Sequence, residues 1–315
     1  MDADFPLSPD ASYTVREAHT WASRFLDAKG VIYPERNAEW MLRHLLKWSS
    51  LDWLTKWNEP LPGPVQAVFI DWVKRRGQRE PLQYILGEAE FYGRTFQVNT
   101  AVLIPRPETE CLVERALQLF QEIPEHGGRP LRVVDIGVGS GAIAITMALE
   151  LTARMSRKNI PFEIHGIDIS ASALHVATAN AQRLGAQITF HQGDGLQPMI
   201  EKGMAVDMIV SNPPYIPDMD IQTLQTEVRN FEPHLALKGG MDGMDPYRHI
   251  IGQCEWFGSA KDLPSAVLFE VGAGQAERVA DMLRQDPLCM RTEIHQDLAG
   301  INRIVVGIRK SSTCR

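Results

Sequence analysis

The segment Ser211-Asn212-Pro213-Pro214-Tyr215 combines side chains that could hold a flat nitrogen group for reaction. The Asn212 side-chain oxygen can accept one N–H of such a group, and a backbone carbonyl of Pro213 or Pro214 can accept the other. Proline fixes the backbone and offers no competing N–H, and Tyr215 can stack on a flat group. A rigid proline turn would explain the prolines but not the flanking Asn212 and Tyr215. The segment therefore predicts a site that aims the lone pair of a delocalised amide or amine nitrogen at an electrophile.

A glycine-rich loop, Gly137-Val138-Gly139-Ser140-Gly141, follows an apolar run that ends in Asp135-Ile136. Glycine lets the chain turn sharply and lets a ligand approach the backbone. The loop lacks the G-x-G-x-x-G spacing of dinucleotide sites and the Lys-Ser/Thr pair of triphosphate sites. It suits a nucleoside without phosphates, such as S-adenosylmethionine, although a tight turn alone would also favour these glycines. The two segments together predict methyl transfer from S-adenosylmethionine to a planar nitrogen.

Two carboxylates follow the next two apolar runs, where a ligand of an open parallel sheet would lie. Asp168 could accept hydrogen bonds from ribose hydroxyls, and Asp194 could accept one from the adenine amino group, with Gly195 beside it. Each has a plainer alternative: Asp168 could cap the helix that begins near Ser170, and Asp194-Gly195 could be an ordinary turn.

The predicted chemistry needs no strong general base, because positioning and electrostatics should supply most of the acceleration. The sequence shows no Ser-His-Asp or Cys-His set, and we expect no metal site. The four cysteines, at positions 111, 254, 289 and 314, form no C-x-x-C pair, which argues against zinc and redox motifs. Free thiols fit a reducing cytosol, so we expect a cytoplasmic protein.

Short apolar runs alternate with helical stretches from residue 131 onward, which predicts an α/β domain with a mostly parallel sheet. The parallel runs are 132–136, 163–168, 188–191, 208–211 and 266–270. Two further runs, 290–295 and 303–308, are separated by only a few residues and should pair antiparallel. The pattern therefore predicts a Rossmann-like, seven-stranded sheet that ends in an antiparallel hairpin.

The preceding residues, from 12 to about 86, have helical spacing. Thr14 and Glu17 form a capping box and Gly30 is a helix stop; further helices are expected over residues 38–46 and from Pro64. Residues 90–105 predict a hairpin or extended linker around Asn99-Thr100, and helix resumes over 108–121. We therefore predict a helical substrate-binding domain at 1–88, a hairpin linker at 89–110 and a methyltransferase domain at 111–315.

Two features of the helical segment have alternative interpretations. It contains six tryptophans (Trp21, Trp40, Trp48, Trp53, Trp57 and Trp72), each of which we expect in a small core rather than on a protein-binding face. The basic run 74–79 is expected to be a solvated helix end, where cations suit the helix dipole, rather than a binding patch.

The bulk properties exclude some partners. The chain has 315 residues, enough for two domains, and a net charge of −7, which does not favour holding duplex DNA. No run of about 18 apolar residues is present, so no membrane span is expected. The acidic beginning of the sequence lacks an apolar signal core, so secretion is not expected.

With these motifs in view, the sequence resembles the release factor glutamine methyltransferase family over nearly the whole chain from Glu80. The resemblance depends on segments 80–87, 91–93, 104–110 (Ile-Pro-Arg-Pro-Glu-Thr-Glu), 135–141 and 211–216, and on 231–233, 235–237, 239–243, 269–272, 297–300 and Arg303. It implies methylation of the side-chain amide of the glutamine in the Gly-Gly-Gln loop of peptide chain release factors. It also implies that the helical domain helps to hold that protein substrate.

Carried over residue by residue, the resemblance implies that Gly137–Gly141 and Asp168 bind the cofactor. Asn212–Tyr215 would hold the glutamine amide, with Asn212 also near the cofactor. Many relatives have Leu and Thr where this chain has Ile136 and Val138, in a loop that we expect to act mainly through its backbone. Some relatives carry an aromatic residue where this chain has Gly195, so adenine should be held differently here.

Three other functions remain open at this stage. A related enzyme methylates a glutamine of a ribosomal protein and shares the amide site, although segment 104–110 looks more like the release-factor branch. Methylation of the adenine amino group in DNA or RNA would use the same flat donor pair but would need base flipping and a basic groove. The acidic charge and the tryptophan-rich helices oppose stable nucleic-acid binding. A non-enzymatic, cofactor-binding interaction protein is the third.

Overall fold

The computed structural model describes residues 11–122, 129–155, 161–254, 266–285 and 289–309. These residues cluster into two compact units. The helical unit comprises the described residues up to Gly87 together with Gln225–Phe231, and the sheet unit comprises Glu88–Leu224 and the described residues from Glu232 onward. A short segment that interrupts the sheet unit in sequence therefore belongs to the helical unit.

In chain order, the described elements are α1 (Val15–Ala28), α2 (Pro34–Leu46), α3 (Ser50–Thr55), α4 (Gly63–Gly77), α5 (Leu82–Leu86), β1 (Glu88–Phe91), β2 (Arg94–Gln97), α6 (Thr109–Glu122), β3 (Leu131–Ile136), α7 (Ala142–Met155), β4 (Phe162–Asp168), α8 (Ala171–Leu184), β5 (Thr189–Gln192), α9 (Gln197–Glu201), β6 (Met208–Ser211), α10 (Thr226–Phe231), α11 (Asp245–Cys254), β7 (Ala266–Glu270), α12 (Ala276–Arg284), β8 (Cys289–Gln296) and β9 (Asn302–Arg309), with 3-10 helices at Asp218–Thr223 and His234–Ala236.

The first helix begins where its sequence indicates. The Thr14 hydroxyl accepts the Glu17 N–H at 3.2 Å, and the Glu17 carboxylate accepts the Thr14 N–H at 2.8 Å. This confirms the predicted capping box, which satisfies N–H groups that a helix start leaves free. Gly30, with φ of 70°, follows the end of α1 as predicted.

The tryptophans lie at the rim of the helical core rather than inside it. The core is formed by smaller apolar side chains of α1, α2, α4 and α5, such as Leu26, Leu42 and Phe69. Trp21, Trp48, Trp53 and Trp72 are partly buried against that core, and Trp57 is also partly buried. Trp40 is 47% exposed, so the expectation that each tryptophan is a core residue was wrong for Trp40. Large rings cover this small core from outside because its interior is filled by close helix contacts.

The basic run ends α4, as expected for cations near a helix C-terminus. Its arginines, however, are held by acceptors rather than simply solvated. Arg75 pairs with Glu80 at 2.6 Å, and Arg79 pairs with Glu227 at 2.8 Å. Arg76 is buried and donates to Asn37 at 2.8 Å. The run therefore organises the helical unit.

The predicted hairpin exists, but its turn lies earlier than expected. Strands β1 and β2 pair antiparallel, with Phe91 opposite Arg94, so Tyr92-Gly93 forms the turn. Both turn residues have positive φ, 51° and 69°, which matches the right-handed twist of a two-residue hairpin. Asn99-Thr100, the turn that was expected, is outside the hairpin; the Asn99 side chain instead accepts the Ala101 N–H at 2.9 Å.

The large sheet has seven strands among the described residues, in the order β5-β4-β3-β6-β7-β9-β8. The pairs from β5 to β7 are parallel, and β9 pairs antiparallel with both β7 and β8. This confirms the predicted α/β class, the Rossmann-like sheet and its terminal hairpin. Among the described residues, no helix is both long enough and apolar enough to cross a membrane.

Alternate residues of the central strands pack on opposite faces of the sheet. Val133, Val210 and Leu268 pack on one face with α6, α7 and α8. Val134, Ile209 and Phe269 pack on the other face with α11 and α12. Both faces are therefore covered, which leaves the strand ends as the places where polar site residues can gather.

Candidate functional site

The strand register places the predicted site residues along one edge of the sheet. Ile136 pairs with both Ile167 and Ser211, and Ser211 also pairs with Phe269. The residues that directly follow these four paired positions therefore lie side by side at the ends of neighbouring strands. They are Gly137, Asp168, Asn212 and Glu270. This edge is the carboxyl end of the parallel strands, where open α/β sheets bind ligands.

The glycine loop requires glycine for two different reasons. Gly137, Gly139 and Gly141 have φ of 73°, 53° and 85°, a region that residues with a side chain rarely adopt. A Cβ at Gly141 would lie 2.6 Å from the Ile145 side chain, so close helix packing excludes it. A Cβ at Gly137 would meet nothing within 4 Å. The loop thus leaves open space beside its backbone at Gly137, as a ligand-binding loop requires.

The other two loop residues serve mainly the protein interior. Val138 is buried, its N–H donates to Ile167 at 3.0 Å and its carbonyl accepts from Gly141 at 2.8 Å. Its side chain occupies space above Gly166, where a Cβ would lie 2.9 Å from it. Ser140 is also buried, and its carbonyl accepts from Asn180 at 2.9 Å. We expected this loop to act mainly through its backbone, but the Val138 side chain also packs in the protein interior.

Asp168 ends β4 directly below the glycine loop. One carboxylate oxygen accepts the Gly139 N–H and the other accepts the Ser170 N–H, both at 2.9 Å. Ser170, and not Asp168, is the N-cap of α8, because its side chain accepts the Ala173 N–H. Burial raises the pKa of Asp168, and the backbone hydrogen bonds oppose that rise. Each oxygen retains acceptor capacity for a further donor, such as a ribose hydroxyl.

Asp194 lies in the loop after β5, next to two α11 residues that the sequence did not single out. The His249 ring nitrogen lies 3.1 Å from the Asp194 carboxylate. The Gln253 side chain donates to the Asp194 carbonyl at 3.2 Å and accepts the Leu196 N–H at 2.6 Å. A Cβ at Gly195 would collide with Gln253. Gln253 therefore occupies the space beside position 195, where some relatives carry an aromatic residue.

The Asn212–Tyr215 loop is held in place from several sides. The Ser211 hydroxyl donates to the Ile136 carbonyl at 2.7 Å, which ties β6 to β3 just before the loop. The Asn212 side-chain nitrogen donates to the Thr109 hydroxyl at 3.2 Å. Gln275 donates to the Tyr215 carbonyl at 2.9 Å. No described residue donates to the Pro213 or Pro214 carbonyls, so both lack a hydrogen-bond partner among the described residues.

Glycines of the 239–243 segment let a neighbouring loop pass close to Tyr215. A Cβ at Gly243 would lie 2.4 Å from the Tyr215 carbonyl oxygen, and one at Gly239 would lie 2.9 Å from the Tyr215 Cα. These are backbone contacts, which cannot move aside as a flexible side chain can. Segment 239–243 was part of the family resemblance, but no role for its glycines was evident from the sequence. In the structure, these glycines let the segment pack against the backbone of Tyr215 in the candidate site.

Two buried carboxyl groups at the strand ends were given no role from the sequence. Asp135 is 1% exposed, and its Oδ1 has no hydrogen-bond partner among the described residues. Glu270 is 2% exposed, and its Oε2 likewise has none. Burial raises the pKa of each group to about 7. Their signal was visible only as acidic residues at the ends of apolar strands. Among the described residues, no group of three or more His, Cys, Asp or Glu side chains could hold a metal ion.

Comparisons with known proteins match both parts of the chain. Residues 17–87 match the family model described as the PrmC N-terminal domain, and residues 129–238 match a methyltransferase domain. A release factor glutamine methyltransferase of Bacillus anthracis is 39% identical over 291 residues, covering 92% of this chain and 98% of that protein. The protein so named from Geobacter sulfurreducens is 38% identical, covering 94% of this chain and 96% of its own length.

Solved structures are similar in fold at low identity. The hMettl16 catalytic domain, in complex with MAT2A 3'UTR hairpin 1, is 13% identical with a TM-score of 0.51. The match covers 78% of this chain and 80% of that one. At this identity the likeness establishes the methyltransferase fold and says nothing about the substrate.

Proposed function

Because this chain belongs to the release factor glutamine methyltransferase family, we propose that it methylates the side-chain amide nitrogen of the glutamine in the Gly-Gly-Gln loop of peptide chain release factors. Membership rests on relatives 37% to 39% identical over 92% to 94% of the chain. The observation that carries the proposal is the strand-end position of Asn212, followed in sequence by two proline carbonyls that have no donor among the described residues.

The cofactor is S-adenosylmethionine, which supplies a methyl group on a positively charged sulfur. Gly137, Gly139 and Gly141 would bring the loop backbone close to it, and Asp168 would accept hydrogen bonds from its ribose hydroxyls. The open space beside Gly137 and the spare acceptor capacity of Asp168 fit this assignment. Val138 and Ser140 were also predicted to contact the cofactor. Their described backbone hydrogen bonds go to other residues of the protein, so they would mainly shape the loop.

The adenine end of the cofactor would lie toward Asp194 and Gly195. Asp194 is exposed and could accept from the adenine amino group, as the sequence indicated. Gln253 would then take the place of the aromatic residue that some relatives carry after the Asp194 position, because it fills that space. Asn212, at the neighbouring strand end, would border the cofactor from the substrate side.

Within the substrate site, Asn212 Oδ1 would accept one N–H of the glutamine amide, and the Pro213 or Pro214 carbonyl would accept the other. With both N–H groups held, the amide plane is fixed and the nitrogen lone pair points out of that plane. Tyr215 would stack on the flat amide. This arrangement accelerates transfer by orientation and needs no strong base, because the nitrogen becomes more acidic as it bonds.

The domain roles are also proposed. Residues 1–88 would form the substrate-binding domain, 89–110 the hairpin linker and 111–315 the methyltransferase domain. The assignment is supported by the PrmC N-terminal domain match over residues 17–87. We propose a cytosolic protein without stable nucleic-acid binding, which fits the net charge of −7 and the free thiols of Cys111 and Cys289.

The test offers purified release factor, ribosomal proteins and DNA in parallel to the purified enzyme with methyl-labelled S-adenosylmethionine. We expect label on the release factor alone, and none on a release factor whose loop glutamine is changed to glutamate. Label on a ribosomal protein or on DNA, with none on the release factor, would refute the proposed substrate. Label that persists on the glutamate variant would place the methyl group elsewhere.

A further inference from the structure

Glu270 is a buried carboxyl group at the end of β7, beside the Asn212–Tyr215 loop. The β6–β7 pairing puts Ser211 opposite Phe269, so Asn212 and Glu270 are the next residues of two neighbouring strands. Thr109 and Asn212 act on Glu270 as polar neighbours that lower its pKa, against the larger, raising effect of burial. Nothing in the proposed chemistry has yet used this group.

Thr109 connects Glu270 with Asn212. It is the first residue of α6 and is 4% exposed, and its hydroxyl accepts the Asn212 Nδ2–H at 3.2 Å. A hydroxyl that accepts from Asn212 still has its own proton to donate, and Glu270 is the acidic acceptor at hand. Donation of that proton to Glu270 would complete a directed chain from amide to hydroxyl to carboxylate.

The start of α6, which carries Thr109, is held by contacts of the residues just before it. Arg106, three residues before Thr109, pairs at 2.5 Å with Glu232, whose side chain is 1% exposed. The Thr109 N–H donates to the Arg106 carbonyl at 3.1 Å, so the start of α6 is anchored to the same segment. Segment 104–110 therefore carries both the ion pair to Glu232 and the hydroxyl that contacts Asn212.

We propose that Thr109 and Glu270 are positioning residues, which orient the Asn212 side chain so that its oxygen, and not its nitrogen, faces the substrate amide. This inference rests on the proposed function of Asn212. An asparagine amide can turn by half a rotation and exchange its oxygen for its nitrogen at nearly the same place. The turned form would set N–H against N–H and could not hold the substrate. Acceptance by the Thr109 hydroxyl, whose own proton is directed to Glu270, keeps the Asn212 nitrogen away from the substrate.

Ionised Glu270 accepts hydrogen bonds, whereas protonated Glu270 is also a donor and orients the chain less strictly. Charged and titratable groups face it from several elements: Arg303 on β9 lowers its pKa and Glu108 raises it, while Tyr215, Tyr247 and Cys111 are affected by its charge. A wild-type turnover number that falls as the pH falls through about 7 is the expected consequence.

The first experiment compares Thr109→Val with Thr109→Ser, using release factor as substrate. Valine keeps the shape and removes the hydroxyl, so we expect kcat to fall by between about 10-fold and about 100-fold, as for small misplacements at an active site. Serine should restore most of it. Thr146→Val is the matched control, because Thr146 is a buried threonine of α7 whose hydroxyl has no partner among the described residues.

Cofactor affinity, measured by calorimetry, and melting temperature should stay close to wild type in Thr109→Val. Unchanged kcat in that variant would overturn the inference, as would a loss of cofactor affinity as large as the loss of kcat. Failure of the serine variant to recover activity would also contradict it, because the hydroxyl is the group that the inference requires.

The second experiment measures kcat from pH 6 to pH 8.5 for wild type and Glu270→Gln. Glutamine cannot ionise, so we expect lower kcat at high pH and a nearly flat profile across this range. An unchanged profile would overturn the role of Glu270. If wild-type enzyme methylates no release factor, the proposed function fails; if it does and these variants match it, only the present inference fails.

Discussion

The Glu227 carboxylate joins the Gln225–Phe231 segment to two arginines at the end of α4 and just after it. It accepts one N–H from Arg76 at 3.1 Å and two from Arg79 at 2.8 Å each. The Glu227 and Arg76 side chains are 15% and 8% exposed. We predict that Glu227→Gln loosens this segment, which lies in sequence between the Asn212–Tyr215 loop and the 232–243 segment.

The magnitude follows from what the substitution leaves behind. Removing one partner of a buried ion pair costs about 3–5 kcal/mol, because the other charge stays buried. Here Arg79 is 25% exposed, and Arg76 keeps acceptors on Asn37 and the Glu80 carbonyl. Because both arginines keep water or other acceptors, we expect a smaller loss than this range: the free energy of unfolding should fall by about 2–3 kcal/mol.

Urea unfolding followed by tryptophan fluorescence measures this effect, since six of the seven tryptophans lie in the helical unit. Asp71→Asn, a substitution of an exposed residue of α4 in the same unit, is the control and should change the free energy of unfolding by less than about 0.5 kcal/mol. A Glu227→Gln effect no larger than that of Asp71→Asn would refute the reasoning.

The same interaction predicts a pH dependence. Burial raises the pKa of Glu227, but hydrogen bonds from Arg79 and Arg76 more than offset this and hold it below 4.5. A carboxyl group with a lowered folded pKa contributes stability above its unfolded pKa and loses it as the pH falls through the folded value. The difference in stability between wild type and Glu227→Gln should therefore shrink below about pH 4.5.

Two further predictions concern the sheet unit. Burial, with Lys202 and His165 nearby, lowers the pKa of His191 from 6.5 to about 4. As the pH falls from 6.5 to about 4, the unfolded chain therefore takes up a proton before the folded one does, and the stability should fall. His191→Gln should flatten that part of a curve of melting temperature against pH, and an unchanged slope would contradict the prediction. Gly141→Ala combines a φ of 85° with a Cβ 2.6 Å from Ile145, and it should lower the free energy of unfolding in urea by about 2–3 kcal/mol. Gly185→Ala is the control, with a φ of 73° and no atom within 4 Å of the added Cβ, and it should cost about 1–2 kcal/mol. Equal losses would exclude the clash with Ile145.

The sheet could be predicted from sequence because its order of elements follows from local patterns. Each strand is a short apolar run, and each motif directly follows one. The turn of the β1–β2 hairpin was misplaced because Asn99-Thr100 looked like the stronger turn signal, whereas Tyr92-Gly93 adopts positive φ at both residues. Trp40 was misassigned because its place among apolar residues at helical spacing does not show that nearly half of its surface is exposed.

The candidate site could be proposed from sequence where one loop carries its residues, but not where residues distant in sequence meet. Asn212 and Asp168 are marked by their neighbours in sequence. Gln253 lies 58 residues after Gly195, and only the packing of α11 brings it there. The link from Thr109 to Asn212 spans 103 positions and could not be inferred from spacing.

The role of Asn212 as the group that holds the substrate amide is the central claim, and Asn212→Ala tests it most directly. Methylation of release factor and binding of S-adenosylmethionine should be measured on the same preparation, with Asn58→Ala, an exposed asparagine of the helical unit, as control. We predict a fall in kcat of about 100- to 1,000-fold with cofactor affinity nearly unchanged. Retained turnover, or a cofactor affinity that falls as far as kcat does, would contradict the account.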